Sequence, residues 1–201
     1  MTIELTRRVF LTRAVASLGG LALPAGFAWG AQDDRAFWAL PRRLRLYRPQ
    51  TRDWVNEVYW ADGRLVEEGY ARVCHLLRDV RGSEAVYMDP RLLDLVRAVQ
   101  GYMEHFGFMN PLVIHSGYRS KATNIATEGA ARNSMHVQGK AVDFTMPGVP
   151  STYMGALASH YQGGGVGFYS KAGFTHMDTG TVRYWSEGGV NRPKLAGRPS
   201  R

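Results

Sequence analysis

The sequence predicts an α+β domain, a small central antiparallel sheet flanked by helices with a cleft on one sheet face. Short runs rich in β-branched and aromatic residues, at 54–60, 112–115, 141–146, 165–169 and 174–178, are strand-like. Helical spacing of apolar residues is confined to 67–78, 89–107 and 151–161. With 201 residues, 45% of them hydrophobic and 21% charged, the chain can bury one core, and wholesale disorder is excluded. There is no internal repeat and no second domain.

Residues 1–31 are set apart as an export signal. Thr6-Arg7-Arg8-Val9-Phe10-Leu11 is a paired-arginine element, and no charge follows from Ala14 to Gln32. Four glycines and Pro24 break that stretch, making it a poor membrane helix, and small residues at Gly26, Ala28, Gly30 and Ala31 offer cleavage sites. The pattern resembles a twin-arginine signal, which implies an exported, periplasmic protein. Arg7, Arg8, Arg13 and Glu4 would leave with it, so the remainder keeps about +6 of the formal charge of +8. Export makes nucleic acid an unsuitable partner. The surplus is then expected to favour anionic peptidoglycan, with weak contact to an anionic membrane surface, for a monomer.

Residues 32–56 read as a basic arm, extended through Arg42, Arg43, Arg45 and Arg48 and leading into the first strand. Residues 57–186 form the domain, and the Gly-, Pro- and Arg-rich residues 187–201 form a flexible tail. Ala61-Asp62-Gly63 makes a hairpin turn between residues 54–60 and 64–66. Tyr70, Val73, Cys74 and Leu77 give the next helix its apolar face. Asp89 caps the long helix, Pro90 suits its first position and Gly107 ends it. Ser116-Gly117-Tyr118-Arg119-Ser120 is turn-like, and a polar segment runs on to Asn133. Gly163-Gly164-Gly165-Val166-Gly167 is no phosphate loop, lacking the Lys-Ser/Thr such loops need. Tyr118, Phe168 and Tyr169 are candidates to line a groove.

The lone Cys74 excludes a disulfide framework and every Cys-rich zinc module, so any metal must rest on His, Asp and Glu. His136, Asp143 and His176 are the candidates: two imidazoles and a carboxylate leave a fourth position open. Gly139 lets the chain turn back between His136 and Asp143. Asp143 lies between Val142 and Phe144 in a strand, a costly place unless paired or metal-bound. His176 and Asp178 share a strand face. The residues also admit a plainer reading, in which Asp143 pairs with Arg119 or Lys140, His136 is a surface loop residue and His176 a satisfied core histidine. His75, His105, His115 and His160 read as structural or exposed, His115 bordering the cleft.

Ser134, His136, Gly139, Ala141 and Asp143 complete the pattern Ser-x-His-x-x-Gly-x-Ala-x-Asp. The chain thereby resembles the zinc D-alanyl-D-alanine carboxypeptidase family, peptidoglycan metallopeptidases related in fold to lysostaphin-type enzymes and the hedgehog domain. It is most similar to the exported YcbK-like group through Tyr59-Trp60-Ala61-Asp62-Gly63, Ser116-Gly117-Tyr118-Arg119-Ser120, Gly164-Gly165-Val166-Gly167-Phe168-Tyr169 and His176-Met177-Asp178-Thr179-Gly180, ending at Arg183-Tyr184-Trp185. The resemblance implies Zn²⁺ held by His136, Asp143 and His176, and Arg119 polarising the scissile carbonyl or holding a substrate carboxylate. Ser134 and Tyr118 are the further substrate contacts.

One departure concerns the general base. Several relatives carry a Glu three residues before the last zinc histidine or a His two before it, where this chain has Gly173 and Phe174. Asp178 is the nearest substitute, either as catalytic base or as an orienter of imidazole. The expected function is a zinc peptidase, of D,D-carboxypeptidase or endopeptidase type, using zinc-activated water on an amide bond of peptidoglycan stem peptides or cross-bridges. The alternative is a non-catalytic zinc-containing module that binds peptidoglycan or an envelope partner.

Overall fold

The computed structural model describes residues 31–187 and 189–191, so the signal assigned to residues 1–31, bar Ala31, and most of the tail assigned to 187–201 lie outside the described residues, while Gly189–Asn191, expected as part of that tail, form a strand. The chain divides into two compact units, Met1–Pro41 and Arg42–Arg201. The described part of the first holds a helix, α1 (Ala31–Ala39), where an extended arm was expected. Alanine, the best helix former, recurs there at Ala36 and Ala39, and no proline intervenes before Pro41.

The second unit is α+β, built on one sheet of nine strands in the order β3-β2-β1-β4-β5-β7-β6-β8-β9. The strands are β1 (Arg42–Arg48), β2 (Asp53–Ala61), β3 (Arg64–Leu65), β4 (Leu112–Ser116), β5 (Ala141–Thr145), β6 (Gly165–Tyr169), β7 (Phe174–Asp178), β8 (Arg183–Ser186) and β9 (Gly189–Asn191). The sheet is larger than expected and mixed: β1 runs parallel to β4 and β6 parallel to β8, the other pairs being antiparallel.

The basic segment 42–48, expected as part of an arm, is thus an inner strand. Leu44, Leu46 and the stem of Arg48 alternate into the core, while Arg42 and Arg45 meet Asp94 and Glu104 at 2.8 and 2.9 Å. Alternation outweighed composition here. The β2–β3 hairpin turns at Asp62 and Gly63, both at positive φ, as its residue types demand.

Helices α2 (Glu67–Leu76) and α3 (Pro90–His105) pack against β1, α2 also against β2, and α5 (Ser151–His160) covers β6 and β7. The Asp89 side chain accepts the Arg91 N–H, Pro90 opens α3, and Gly107 at φ 83° follows its end. Cys74 is buried, its sulfur accepting the Met88 N–H. A short helix, α4 (Lys121–Ile125), occupies the expected polar segment because the Ser120 hydroxyl caps Thr123 N–H. Among the described residues no helix is long and apolar enough to cross a membrane.

Asp79 fastens the turn at 81–84 to the start of α4. Its carboxylate, 2% exposed, accepts the N–H groups of Arg81, Gly82 and Ser120 at 3.0, 3.3 and 3.0 Å. Burial pushes its pKa up, but the hydrogen bonds around Ser120 and Thr123 outweigh this and bring it to about 2. A depressed folded-state pKa contributes stability that is complete above the ordinary carboxylate range and vanishes as pH falls through about 2. Asp79→Asn should therefore cost about 1–3 kcal/mol near neutrality. In denaturant titrations from pH 7 to pH 2, the gap between wild type and variant should close at the acid end.

Candidate metal centre

β5 and β7 pair so that Asp143 lies directly opposite His176. Strand alternation places both on the face away from α5. Phe144, Thr175 and Phe168 form one row on the covered face, where the Thr175 hydroxyl bonds Ser151 O and a Cβ on Gly155 of α5 would strike the Phe168 ring. His136 joins from a 3-10 turn, Met135–Gln138, that precedes β5. Ser134 caps that turn, its hydroxyl accepting the His136 N–H, and Gly139 ends it at φ 67°, reversing the chain into β5. The Ser-x-His-x-x-Gly spacing is thus a capped turn delivering an imidazole to the strand that follows.

Three ligand atoms converge. His136 Nε2 lies 3.2 Å from His176 Nδ1 and 3.3 Å from Asp143 Oδ1, and His176 Nδ1 lies 2.8 Å from Asp143 Oδ1. The other nitrogen of each ring has a partner that fixes the tautomer: His136 Nδ1 donates to Gly117 O at 2.6 Å, and His176 Nε2 to Asp178 Oδ2 at 2.9 Å. His136 Nε2 and His176 Nδ1 then face the Asp143 carboxylate, with Arg119 Nη2 also 3.3 Å from His136 Nε2 and all three candidate ligands buried. Such a cluster is repulsive unless a cation or a proton sits in it. Bonds of about 2.0–2.1 Å at tetrahedral angles would separate zinc ligands by about 3.3 Å, so the donor set fits.

The surroundings hold that set in place. Arg119 donates from Nε to Ser116 Oγ at 2.8 Å and from Nη2 to Asp143 Oδ2 at 2.7 Å, leaving Asp143 Oδ1 to the imidazoles. Gly117 is pinned against residue 77: a Cβ there would fall 2.3 Å from Leu77 O. Asp178, fully buried, accepts the N–H groups of Gly165 and Gly180 and a two-pronged contact from Arg183. Trp185 lies over His176, ring centroids 5.0 Å apart.

Burial alone would push Asp143 up, yet the two imidazoles hold it well below the usual carboxylate range. Asp178 is likewise opposed by burial and drawn down to about 2 by His176 and Arg183. Burial lowers His176, but its contacts with Asp143 and Asp178 raise it above the ordinary imidazole value.

Of the residues singled out in the sequence, His136, Asp143, His176, Asp178, Arg119 and Ser134 come together here. The plainer reading is half realised, since Arg119 does pair with Asp143; Lys140 does not, lying instead near Gln138. His136 is buried and not a surface loop residue. Tyr118 points its hydroxyl to Glu84 Oε1 at 3.0 Å. Phe168 belongs to the α5 side, whereas Tyr169 stacks on Phe174 at 4.4 Å on the ligand face. His115 is exposed on β4, its Nε2 3.0 Å from Thr145 Oγ1. Gly117, Ser116, Arg183 and Trp185 had been given no role. Gly117 acts through its backbone carbonyl and Arg183 and Trp185 across a strand, which no spacing motif encodes, whereas Ser116 acts locally through its hydroxyl on Arg119. A cavity of about 770 Å³, lined by Trp54, Arg72 and Tyr87 among others, shares no residue with this cluster.

Two imidazoles and a carboxylate converging on one sheet face are the donor set of metal-dependent hydrolytic centres. The family model for peptidoglycan L,D-endopeptidase MepK matches residues 37–185, and the chain belongs to this family. It is 33% identical to peptidoglycan L,D-endopeptidase MepK of Escherichia coli K12 over 178 residues, covering 86% of this chain and 96% of the relative. To the probable peptidoglycan L,D-endopeptidase MepK of Haemophilus influenzae it is 38% identical over 174 residues, 84% of this chain and 92% of the relative. No solved structure matches the chain.

Purified protein should bind about one equivalent of Zn²⁺, and His136→Ala, Asp143→Ala and His176→Ala should each abolish binding in metal analysis after dialysis. Gly117→Ala leaves every ligand intact but must shift the carbonyl that orients His136. Chelator competition should show its zinc affinity reduced by about 10–100-fold.

Proposed function

We propose that this chain is a zinc peptidase, exported to the periplasm, that hydrolyses an amide bond of peptidoglycan, in the peptide stems or cross-bridges. The observation that carries the reading is the convergence of His136 Nε2, Asp143 Oδ1 and His176 Nδ1 within 3.3 Å of one another, their other polar atoms already committed. The names of the relatives, matched over 92–96% of their length, favour an L,D bond and an endopeptidase over a D,D-carboxypeptidase. Export rests on the paired arginines and uncharged stretch of residues 1–31.

Zinc bound at this centre would supply a Lewis acid and lower the pKa of a water molecule. Arg119 has Nε and Nη2 engaged, with Nη1 making no hydrogen bond among the described residues. We assign that nitrogen to the scissile carbonyl or to a substrate carboxylate, since a planar guanidinium keeps its charge at any working pH. Asp178 is saturated by five contacts and wholly buried, so its role here is to hold the His176 tautomer and not to carry protons. Ser134 keeps His136 in register. Substrate approaches along the half-buried Phe174 and Tyr169 rings, beside exposed His115, because the other side of the ligand row is closed by buried Ala141 and Asp178.

Zinc-loaded protein incubated with purified sacculi should release new muropeptides, and His136→Ala should release none. Retention on sacculi with an unchanged muropeptide profile would favour the non-catalytic module. Phe174→Ala should raise KM for stem-peptide substrates about 3–10-fold, the loss of one ring's worth of contact, with kcat and bound zinc little changed.

A further inference from the structure

We propose that Arg183 is a positioning residue for the metal centre, reaching across β6 to clamp Asp178 and through it the imidazole of His176. Strand β8 is not adjacent to β7; β6 lies between them. Arg183 pairs with Gly165 and Trp185 with Gly167, both glycines lying in the intervening strand. With no side chains there, Arg183 crosses to Asp178, Nη2 to Oδ2 at 2.6 Å and Nη1 to Oδ1 at 3.1 Å. Trp185 crosses likewise to the ring of His176 and carries the Arg183 guanidinium 5.0 Å above its own ring.

The passage is only as wide as the guanidinium. A Cβ on Gly165 would lie 2.4 Å from Arg183 Nη1 and 2.6 Å from Asp178 Oδ2. Both are ends of side chains, and Gly165 is not at positive φ, so alanine there is compatible with the strand but not with the clamp. Asp178 Oδ2 serves two donors, Arg183 Nη2 and His176 Nε2. The guanidinium fixes the carboxylate plane, and that plane sets where Nε2–H must point and hence where Nδ1 faces. Among the described residues Arg183 hydrogen-bonds Asp178 and Thr181 O and none of His136, Asp143 and His176.

The inference rests on the metal-centre reading, and zinc affinity tests the two separately. Chelator competition on Arg183→Ala should show a 10–100-fold weaker Zn²⁺ complex, with Arg183→Lys recovering part of the loss through a single contact. Gly165→Ala, which removes no charge and no hydrogen-bonding group, should weaken zinc binding to a similar degree. Asp178→Asn should be weakened too, and adding Arg183→Ala to it should cost less than twofold more, since Arg183 acts only through Asp178. The visible spectrum of the Co²⁺-substituted protein should shift in Arg183→Ala and Gly165→Ala alike. Wild-type affinity in both variants, or full additivity with Asp178→Asn, overturns the clamp; absence of zinc from wild type overturns the metal centre itself.

Discussion

A carboxylate buried in a strand beside two imidazoles is the constraint on which this structure turns. Asp143 is 5% exposed and lies within 3.3 Å of His136 Nε2 and His176 Nδ1. Each of those groups is too costly to bury unpartnered. The remainder of the site answers that cost: Arg119 takes the outer oxygen of Asp143, Gly117 O the far nitrogen of His136, and Asp178 the far nitrogen of His176. The outer polar atoms of the cluster are thereby committed, while the other three face one another, with Arg119 Nη2 3.3 Å from His136 Nε2. A metal site with its tautomers set in advance pays little reorganisation on binding, which is how outer contacts tune affinity.

The same commitments tie together parts of the chain distant in sequence. Gly117 O reaches His136 only because the backbone at 117 lies against Leu77, and Tyr118 N–H closes the contact by donating to Leu77 O at 2.7 Å. Asp79, two residues beyond Leu77, accepts Ser120 N–H at the other end of the same loop. The Ser-Gly-Tyr-Arg-Ser segment is thus held at Tyr118 and Ser120 by residues just past the end of α2. Arg119, the fourth of its five residues, is aimed by its N–H bond to His136 O as well as by Ser116 and Asp143. A loop residue set this firmly can act on substrate without the entropy loss that a free arginine would suffer.

How much of this was legible in the sequence depends on the range of each signal. His136, Gly139 and Asp143 lie within eight residues, and a polar residue inside a β-branched strand stands out against its neighbours. The Asp62-Gly63 turn and the Asp89-Pro90 helix start are equally local, and they were readable for that reason. Arg183 and Trp185 were not, because their partners lie across a strand pairing, and pairing order is absent from any local pattern. Composition misled at 42–48, where four arginines suggested an arm. Leu44 and Leu46 made it an inner strand, and acids on α3 answered Arg42 and Arg45. Arg42, Arg45, Arg72, Arg78, Arg97, Arg119 and Arg183 all meet carboxylates, so the formal surplus, which already counts those acids, is carried by the other basic residues.

The glycine-rich run at 163–167 shows the trade most directly. Glycine in a strand interior weakens it, by roughly 0.5–1 kcal/mol relative to alanine, through lost packing and greater unfolded-state entropy. Two of the five β6 residues are glycines on the ligand face, while the intervening Val166 is buried on the other. A β-rich sequence there would make a sturdier strand and a wall between β8 and β7. Without that wall, side chains of β8 reach Asp178 and His176 two strands away, and Gly165 N–H bonds Asp178. Alanine at both sites would restore strand propensity while displacing Arg183 and Trp185, so the weak strand is a condition of the organised centre. The chain gives up local stability where the site needs reach, and it recovers that stability through Val166 and Met177, paired on the α5 side.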